Sequence, residues 1–466
     1  MSDAMAVMLA VGVWLGAWGA WPVPRWPAIA GMVLFLAVRR PVPFTLAAAA
    51  LAAGLAASAW SGLSPPVPGT VSGWATVIRT PQSVQGGVRA EVRVDGHHLD
   101  AWAHGAVASR LGAVAAGEEV ELGGRVGPLG PVSRRALLPR HIAGRLEVST
   151  VGRVRDGSPA SQAAALVRRT LVRGARPLGD DDRSLLLGVI LGDDTDRSPA
   201  LEDRFRQSGL SHLLAVSGEN VAFILVLVGP LLRRLRLSAR WALTMVVLAF
   251  FGLLTGWEPS VIRAAVMAAL ACTATVTGRP ASTVRLLALA VAASILVDPL
   301  LVHALGFQLS VGATTGIAVL SGSIAERLGR LPVLRARLLR EIVSVTIAAQ
   351  VGVLPVALPV FGGVPVASLP ANVLAVPVAG PLTMWGLGAG LLAGRLGPPA
   401  DRLLHLPTAA MAGWLDGVAG WGAGLPLGQV GPVQAAGIAL VVLLVGSLRW
   451  SWRWVRTGST SPRGRS

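Results

Sequence analysis

Apolar runs separated by short basic connectors make up most of this 466-residue chain. Three runs open the sequence, at 4–21, 28–38 and 44–60, and the second of them is short. Further runs follow at 210–232, 241–257, 260–277, 284–297, 303–321, 341–361, 366–394, 403–422 and 431–449. About 18–20 apolar residues suffice for a helix to cross a bilayer. The pattern therefore predicts a polytopic α-helical membrane protein.

Residues 70–153 follow a different pattern, in which apolar and polar residues alternate between turns that contain Gly and Pro. The strings TVSGWATVI, VRAEVRV, HHLDAWAHG, EEVELGGRV and RLEVSTVGRV have the period of two that is typical of strands. About five short strands in roughly 80 residues suit a small barrel of the OB type. We therefore predict an OB-like β-barrel domain inserted between the third and fourth apolar runs.

The arginines between apolar runs predict an orientation in the membrane. Arg39 and Arg40 separate the second and third runs, and the positive-inside rule places them in the cytoplasm. The third run then crosses the membrane and reaches the outside at about Ser61, so the β domain is predicted to be extracytoplasmic. If the later runs alternate, their basic connectors also fall on the cytoplasmic side, at 233–236, Arg279 with Arg285, 326–340, Arg395 and the tail from Arg449.

These patterns divide the chain into five predicted regions. They are N-terminal transmembrane helices at 1–62, the extracytoplasmic β domain at 63–155, a basic amphipathic connector at 156–208, a transmembrane core at 209–450 and a basic cytoplasmic tail at 451–466. Within the connector, residues 161–178 predict either a surface helix against phospholipid headgroups or a contact with a polyanionic ligand.

Composition agrees with a membrane protein and excludes several kinds of site. Hydrophobic residues make up 53% of the chain and charged residues 14%, with a net charge of +17. The chain contains no lysine, so it has neither a Walker A lysine nor a lysine for a Schiff base. Its single cysteine, Cys272, excludes an intrachain disulfide and a multi-cysteine zinc site. We expect no cofactor, and any transport has to be driven by another protein.

The string GLSHLLAVSGENVAF at 209–223 brings polar groups into the start of an apolar run. On a helix with 100° per residue, His212, Glu219 and Asn220 fall within an arc of about 100°, with Ser217 at its edge. Charged groups in a membrane normally face the protein interior or water. This face is therefore expected to line a wet pathway or meet a polar partner helix. The alternative is that these residues lie at a helix end near the membrane surface and only form hydrogen bonds within the packed protein.

Isolated polar residues recur on later apolar runs. Arg263, Gln308, Gln350 and Asn372 lie on four of them, and together they suggest a polar lumen. Arg263 could instead pair with Glu219, which is a structural use of both. The Pro- and Gly-rich stretch 352–381 predicts broken helices that line a cavity or kinked helices packed against neighbours.

The HHLDAWAH string at 97–104 resembles the histidine–aspartate cluster of metallo-β-lactamase-type hydrolases. A strand places His98, Asp100 and His104 on one face. The hydrolase cluster, however, lies on a loop of a much larger α/β domain. We therefore favour an exposed strand face and predict no metal site.

Five strings, in this order, resemble the ComEC family of competence proteins, which are DNA-uptake channels of the inner membrane. They are LLLGVILGDD (185–194), FRQSGLSHLLAVSGENVAFI (205–224), SVIRAAVMA (260–268), DPLLVHALGFQLSVGA (298–313) and ANVLAVPVAGPL (371–382). GLSHLLAVSG is the most specific, while Glu219 departs from the usual pattern. Many members end in a metallo-β-lactamase-like domain. This chain ends at Ser466, soon after its last apolar run, so we do not transfer nuclease activity to it.

The resemblance implies a channel that imports single-stranded DNA through the cytoplasmic membrane during natural transformation. Its lining or supporting residues would be His212, Ser217, Glu219, Asn220, Arg263, Gln308 and Asn372. Arginines of the β domain are available to DNA phosphates, namely Arg79, Arg89, Arg93, Arg110 and Arg125.

The implied partners are DNA, the phospholipid membrane, a DNA receptor protein and a separate ATP-driven helicase or translocase. A separate nuclease and homo-oligomerisation are further expectations. The alternatives are a transporter of a small solute or another polymer on the same scaffold, and a nuclease that uses the 97–104 cluster.

Overall fold

The computed structural model describes residues 2–20, 41–64, 67–84, 86–195, 197–279, 281–332, 336–432 and 434. The predicted run 28–38, nearly all of the run 431–449 and the tail 451–466 lie outside these residues. The described part of the chain is mostly helical and contains one sheet domain.

In the described residues, two apolar helices precede the sheet domain, α1 (Asp3–Gly19) and α2 (Pro41–Ser61). They pack closely because Gly12 lies against the backbone of Thr45, and Gly16 against that of Ala49. The residue numbers of the contacting positions increase in the same direction along both helices, so α1 and α2 run parallel. This agrees with the direction predicted for the first and third apolar runs.

The sheet domain has six strands, and each of the five predicted strand strings forms one. The strands are β1 (Gly69–Val77), β2 (Gln82–Val84), β3 (Gly87–Val94), β4 (His97–His104), β5 (Glu119–Gly127) and β6 (Ile142–Arg155). Their order is β1-β5-β6-β4-β3-β2, and β1 also pairs with β3. Only β4 and β6 are parallel among these pairings.

The alternating pattern of the strands builds the core of this domain. In β4, Leu99, Ala101 and Ala103 are buried in the core, while Asp100 and Trp102 point to the other face. Two short helices, α3 (Ala106–Gly112) and α4 (Pro131–Leu137), connect β4 to β5 and β5 to β6.

The rest of the described chain is helical apart from two strands of two residues each, β7 (Val364–Pro365) and β8 (Gln429–Val430). The helices are α5 (Pro159–Gly174), α6 (Asp180–Leu191), α7 (Pro199–Gln207), α8 (Gly218–Leu232), α9 (Leu237–Leu254), α10 (Pro259–Val276), α11 (Thr283–Val297), α12 (Leu305–Leu328), α13 (Arg337–Phe361), α14 (Ser368–Leu396) and α15 (Ala400–Ala423).

Six of the described helices are long and apolar enough to cross a membrane: α2, α9, α10, α12, α13 and α14. The apolar helices α1, α8 and α11 are shorter. The run predicted at 403–422 forms α15, which is outside these six; it carries Asp401, Arg402 and Asp416. The protein is a multi-pass membrane protein.

The Pro- and Gly-rich stretch 352–381 is interrupted only once. Helix α13 continues through Pro355 and Pro359, and α14 continues through Pro377 and Pro381. Between them, α13 ends at Phe361, and the φ of 73° at the following Gly362 suits glycine. The stretch therefore consists of two proline-containing helices and one short break.

The β domain contacts one end of the helical bundle. Arg79 of the β domain pairs with Glu258, which precedes α10, and His141 contacts Asp298, which follows α11. Short connectors join α8 to α13 in sequence, so alternate connectors lie at opposite ends. The connectors rich in arginine, before α9, after α10 and after α12, therefore lie at the end away from the β domain.

Candidate functional site

Five helices of the bundle contact one another in a closed ring. Helix α8 contacts α10, α10 contacts α12, α12 contacts α13, α13 contacts α14, and α14 contacts α8. We call this set the helix ring. Within the ring, α10 and α12 have few fully buried residues, namely Val261 and Arg263 in α10 and Phe307 and Gly316 in α12. Most other residues of these two helices are half-buried.

The string 209–223 forms a packed junction at the start of the ring. Gly209, two residues after the end of α7, has a φ of +75°, and a Cβ there would collide with the side chain of Ser368 at the start of α14. Leu213, Leu214 and Val216 are buried in the core of the bundle. The string thus joins α7, α8 and α14 through close backbone approach.

The prediction that His212, Glu219 and Asn220 share one helical face is wrong. His212 belongs to a 3₁₀ turn at Ser211–Leu214, and α8 begins only at Gly218. Ser217 is the N-cap of α8, where its hydroxyl accepts a hydrogen bond from the backbone N–H of Glu219. A spacing of 100° per residue cannot run across this turn, so the predicted continuous polar stripe does not form.

Asn220 is buried, with 3% of its surface exposed. Its side-chain amide donates to the carbonyl oxygen of Val189 in α6 at 2.6 Å, and its side-chain oxygen accepts from Ser217 at 3.3 Å. His212 and Glu219 are exposed. Asn220 therefore links α8 to α6, and the exposed polar side chains of the string are Ser211, His212 and Glu219.

Arg263 makes a different contact from the predicted pair with Glu219. Its side chain is 6% exposed, and its Nε donates to the hydroxyl of Ser310 in α12 at 2.8 Å. A Cβ on Gly218 would lie 2.8 Å from its Nη2. Among the described residues no carboxylate pairs with this guanidinium. A buried positive charge thus lies where α8, α10 and α12 meet.

The other predicted polar residues satisfy backbone and hydroxyl groups near helix ends. Gln308 donates to the carbonyl oxygen of Val302 at 2.6 Å, before α12 begins. Gln350 of α13 donates to the hydroxyl of Ser368 at 3.0 Å, and Asn372 donates to the carbonyl of the same serine at 2.7 Å. The Gln350–Ser368 bond connects α13 to α14 within the helix ring, whereas the Asn372 bond lies within α14.

Of the five predicted DNA-contacting arginines, three have partners within the protein. Arg79 pairs with Glu91 at 3.2 Å and with Glu258, and Arg89 pairs with Asp100 at 2.6 Å. The third is Arg93, whose Nε donates to Nε2 of His98 at 2.9 Å. Arg110 and Arg125 are exposed and have no partner in the described part of the chain.

His98 accepts the hydrogen bond from Arg93 as a neutral imidazole. Burial, together with the positive charges of Arg93 and His141, lowers the pKa of His98 to about 4. A neutral imidazole has one nitrogen free to accept a hydrogen bond, so the low pKa and the contact with Arg93 are consistent.

The HHLDAWAH face is occupied by internal hydrogen bonds. Asp100 is only 3% exposed and accepts from Arg89 and from Nε1 of Trp102. His104 contacts the carbonyl of Gly86. The interpretation as an exposed face is wrong for Asp100, because these two side chains cover it. No group of metal-ligating side chains occurs within the residues that the structure describes.

A network that the sequence analysis missed holds the β domain on the helices. Glu91 of β3 accepts from both Arg79 and Arg140, at 3.2 and 3.1 Å, and Arg79 continues to Glu258. His141 lies 2.9 Å from Asp298. The pairs that cross between the two regions join residues 179 and 157 positions apart. No local pattern in the sequence could have indicated them.

Comparison with known proteins places the helix ring within a shared region. The family model described as Competence protein matches residues 189–457. The ComE operon protein 3 of Bacillus subtilis (strain 168) is 26% identical over 241 residues, covering 51% of this chain and 30% of that protein. The uncharacterized protein YcaI of Escherichia coli (strain K12) is 27% identical over 228 residues, covering 46% and 30%.

The match thus spans about 30% of the length of these curated relatives. No solved structure matches the chain. The family model covers more than half of the sequence, including all of α8 to α14. The chain therefore belongs to the Competence protein family.

Proposed function

We propose that this protein forms a channel of the cytoplasmic membrane that imports single-stranded DNA during natural transformation. The observation that carries the proposal is the helix ring, because it is a closed set of helices within the matched family region. Four of its five members are long and apolar enough to cross a membrane. A ring of this kind can bound a path that is separated from lipid.

Charge within the ring supports a polyanionic cargo. A DNA strand is attracted by positive groups along its path, and Arg263 supplies a buried guanidinium without a carboxylate partner in the described residues. Glu219 would repel phosphates, and it is exposed at the first turn of α8. We assign His212 and Glu219 to the mouth of the path. Asn220, Gln308 and Asn372 support its helices, with Ser217 capping α8.

We further propose that the sheet domain is an OB-like barrel on the extracytoplasmic side. Support for a barrel comes from the pairing of β1 with both β3 and β5, which returns the strand order to its start. The parallel pair β4–β6 and the helix α3 between β4 and β5 also fit this topology. Support for the orientation comes from the arginine-rich connectors at the opposite end of the bundle. Of the five arginines predicted to contact DNA, Arg110 and Arg125 are the two that remain free of partners in the described residues.

The chain contains no lysine for a Walker A site. We therefore assign the driving force to a separate ATP-driven translocase on the cytoplasmic side, with a DNA receptor delivering the strand from outside.

A clean deletion of the gene tests the proposal. Labelled double-stranded DNA is added to competent cells, and label that is resistant to external nuclease is measured in the cytoplasm. The deletion should abolish this protected label and leave DNA bound at the surface unchanged, and the wild-type gene should restore it. Protected label at the wild-type level in the deletion strain would rule out the channel.

A further inference from the structure

A basic cleft lies between the β domain and the helical bundle. Its volume is about 510 Å³, which is in the range of small-molecule sites. The loop after β1 and the turn after α3 form its wall on the β domain. Helices α5 and α6 and the end of α9 form the other walls. We call this space the basic cleft.

Five arginines line the basic cleft, and their partners differ. Arg168 pairs with Asp193 at 2.7 Å, and Arg183 pairs with Asp180 at 2.9 Å. Arg169 lies 3.7 Å from Glu118 and is 62% exposed. Arg173 and Arg176 are exposed and have no ion-pair partner within the described residues. The cleft therefore has an excess of positive charge on α5.

The remaining walls of the basic cleft are mainly apolar. Val172, Leu187, Leu253 and Leu254 contribute to them, next to several alanines. Leu253 and Leu254 are the last residues of α9, a helix long and apolar enough to cross the membrane. The cleft thus lies where a membrane-spanning helix ends, which is the depth of phospholipid headgroups.

We propose that the basic cleft binds the headgroup of an anionic phospholipid. Arg173 and Arg176 contact the phosphate, as arginines do at membrane surfaces, and the apolar wall receives the start of the acyl chains. No aromatic side chain lines the cleft among the described residues. Sites for single-stranded DNA stack bases on aromatic rings, so the lining fits a lipid better than a nucleic-acid strand. The Arg168–Asp193 pair holds α5 in place beside the bound lipid.

The full chain, purified in detergent, tests the site by titration with short-chain phosphatidylglycerol and counting of bound lipids by native mass spectrometry. The double variant Arg173→Gln with Arg176→Gln should lose affinity by about 30-fold, at about 1 kcal/mol for each arginine near a lipid phosphate. Arg173→Lys with Arg176→Lys keeps the charge and should bind within a few-fold of wild type.

The matched control is Arg233→Gln with Arg234→Gln, which removes two exposed arginines at the other end of the bundle and should leave binding unchanged. Phosphatidylcholine should bind the wild-type protein no more tightly than it binds the double glutamine variant. Equal binding of the two lipids, or an unchanged affinity in the glutamine variant, would overturn the proposal. The proposal would also be overturned if the double glutamine variant kept lipid binding but lost binding of a single-stranded oligonucleotide. The cleft would then be a nucleic-acid site.

Discussion

At the scale of single residues, polar side chains in the membrane region act mainly on backbone groups, either of a neighbouring helix or of their own helix. Asn220 reaches the carbonyl of Val189, and Asn372 that of Ser368. A buried carbonyl that loses its partner costs roughly 1–3 kcal/mol. These residues therefore influence the proposed conduit through the positions of its helices.

Replacement of Asn220 by Leu should destabilise the protein by about 1–3 kcal/mol, because the buried carbonyl of Val189 loses its donor. The measurement is thermal unfolding of the purified protein in detergent. Glu219→Gln is the control, since the neighbouring Glu219 side chain is exposed and has no partner in the described part of the chain; its stability should stay near wild type. Equal stability of the Asn220→Leu variant and wild type would contradict the link between α8 and α6.

The low pKa of His98 predicts a dependence of stability on pH. Burial and the charges of Arg93 and His141 lower this pKa from the usual 6.5 to about 4. Between these values the unfolded chain binds a proton that the folded chain does not, so stability falls as pH decreases from about 6.5 to 4. His98→Asn should remove this part of the pH dependence.

Unfolding of the wild type and the His98→Asn variant at several pH values checks this. His97→Asn is the control, because His97 is exposed on the same strand and should leave the pH dependence as it is. Identical curves for wild type and His98→Asn between pH 6.5 and 4 would show that His98 titrates normally.

At the scale of elements, glycines allow the close approach of α12 and α13 in the helix ring. A Cβ on Gly312 would lie 2.6 Å from the carbonyl oxygen of Gly352, and one on Gly316 would collide with the carbonyl oxygen of Ala348. The contacting positions run in opposite directions, so the two helices are antiparallel. We call this contact between α12 and α13 the glycine seam. The close approach of the two helices there requires that Gly312 and Gly316 carry no side chain.

Gly316→Ala should therefore push α12 away from α13 and destabilise the protein by about 1–3 kcal/mol, which is typical of overpacking. Gly322→Ala in the same helix is the matched control, because a Cβ there meets nothing within 4 Å. Alanine favours a helix by about 1 kcal/mol over glycine, so the control should be neutral or stabilising. In thermal unfolding and in uptake of labelled DNA, Gly316→Ala should perform worse than Gly322→Ala. Equal stability and uptake of the two variants would mean that the contact between α12 and α13 tolerates a side chain.

At the scale of the whole molecule, the protein has two chemically different ends. The β domain docks through Arg79, Arg140 and His141 onto carboxylates beside α10 and α11, and the opposite end carries the arginine-rich connectors. Arginine is retained on the cytoplasmic side of membrane proteins. This asymmetry predicts that the end with the β domain faces the incoming DNA.

Cysteine labelling tests this orientation. In a Cys272→Ser background, Ser83→Cys on the β domain should react with a membrane-impermeant thiol reagent in intact cells, after any outer barrier is opened. Ser238→Cys at the opposite end of the bundle should react only after lysis. Both positions are exposed, so a difference reports sidedness. The reverse labelling pattern would show that the orientation of the protein in the membrane is opposite to the predicted one.

The sequence by itself determined the elements whose signals are local. Apolar runs predicted most of the described helices, and period-two alternation predicted five strands, because burial in lipid or against a core selects residues along a short segment. The tertiary structure decided how the polar residues pair. Arg263 binds Ser310 rather than Glu219, and Arg79 binds Glu258, because such partners are chosen by the packing of distant segments. It also decided that the helix at 210–232 begins only at Gly218, since the preceding 3₁₀ turn packs against α6 and α7.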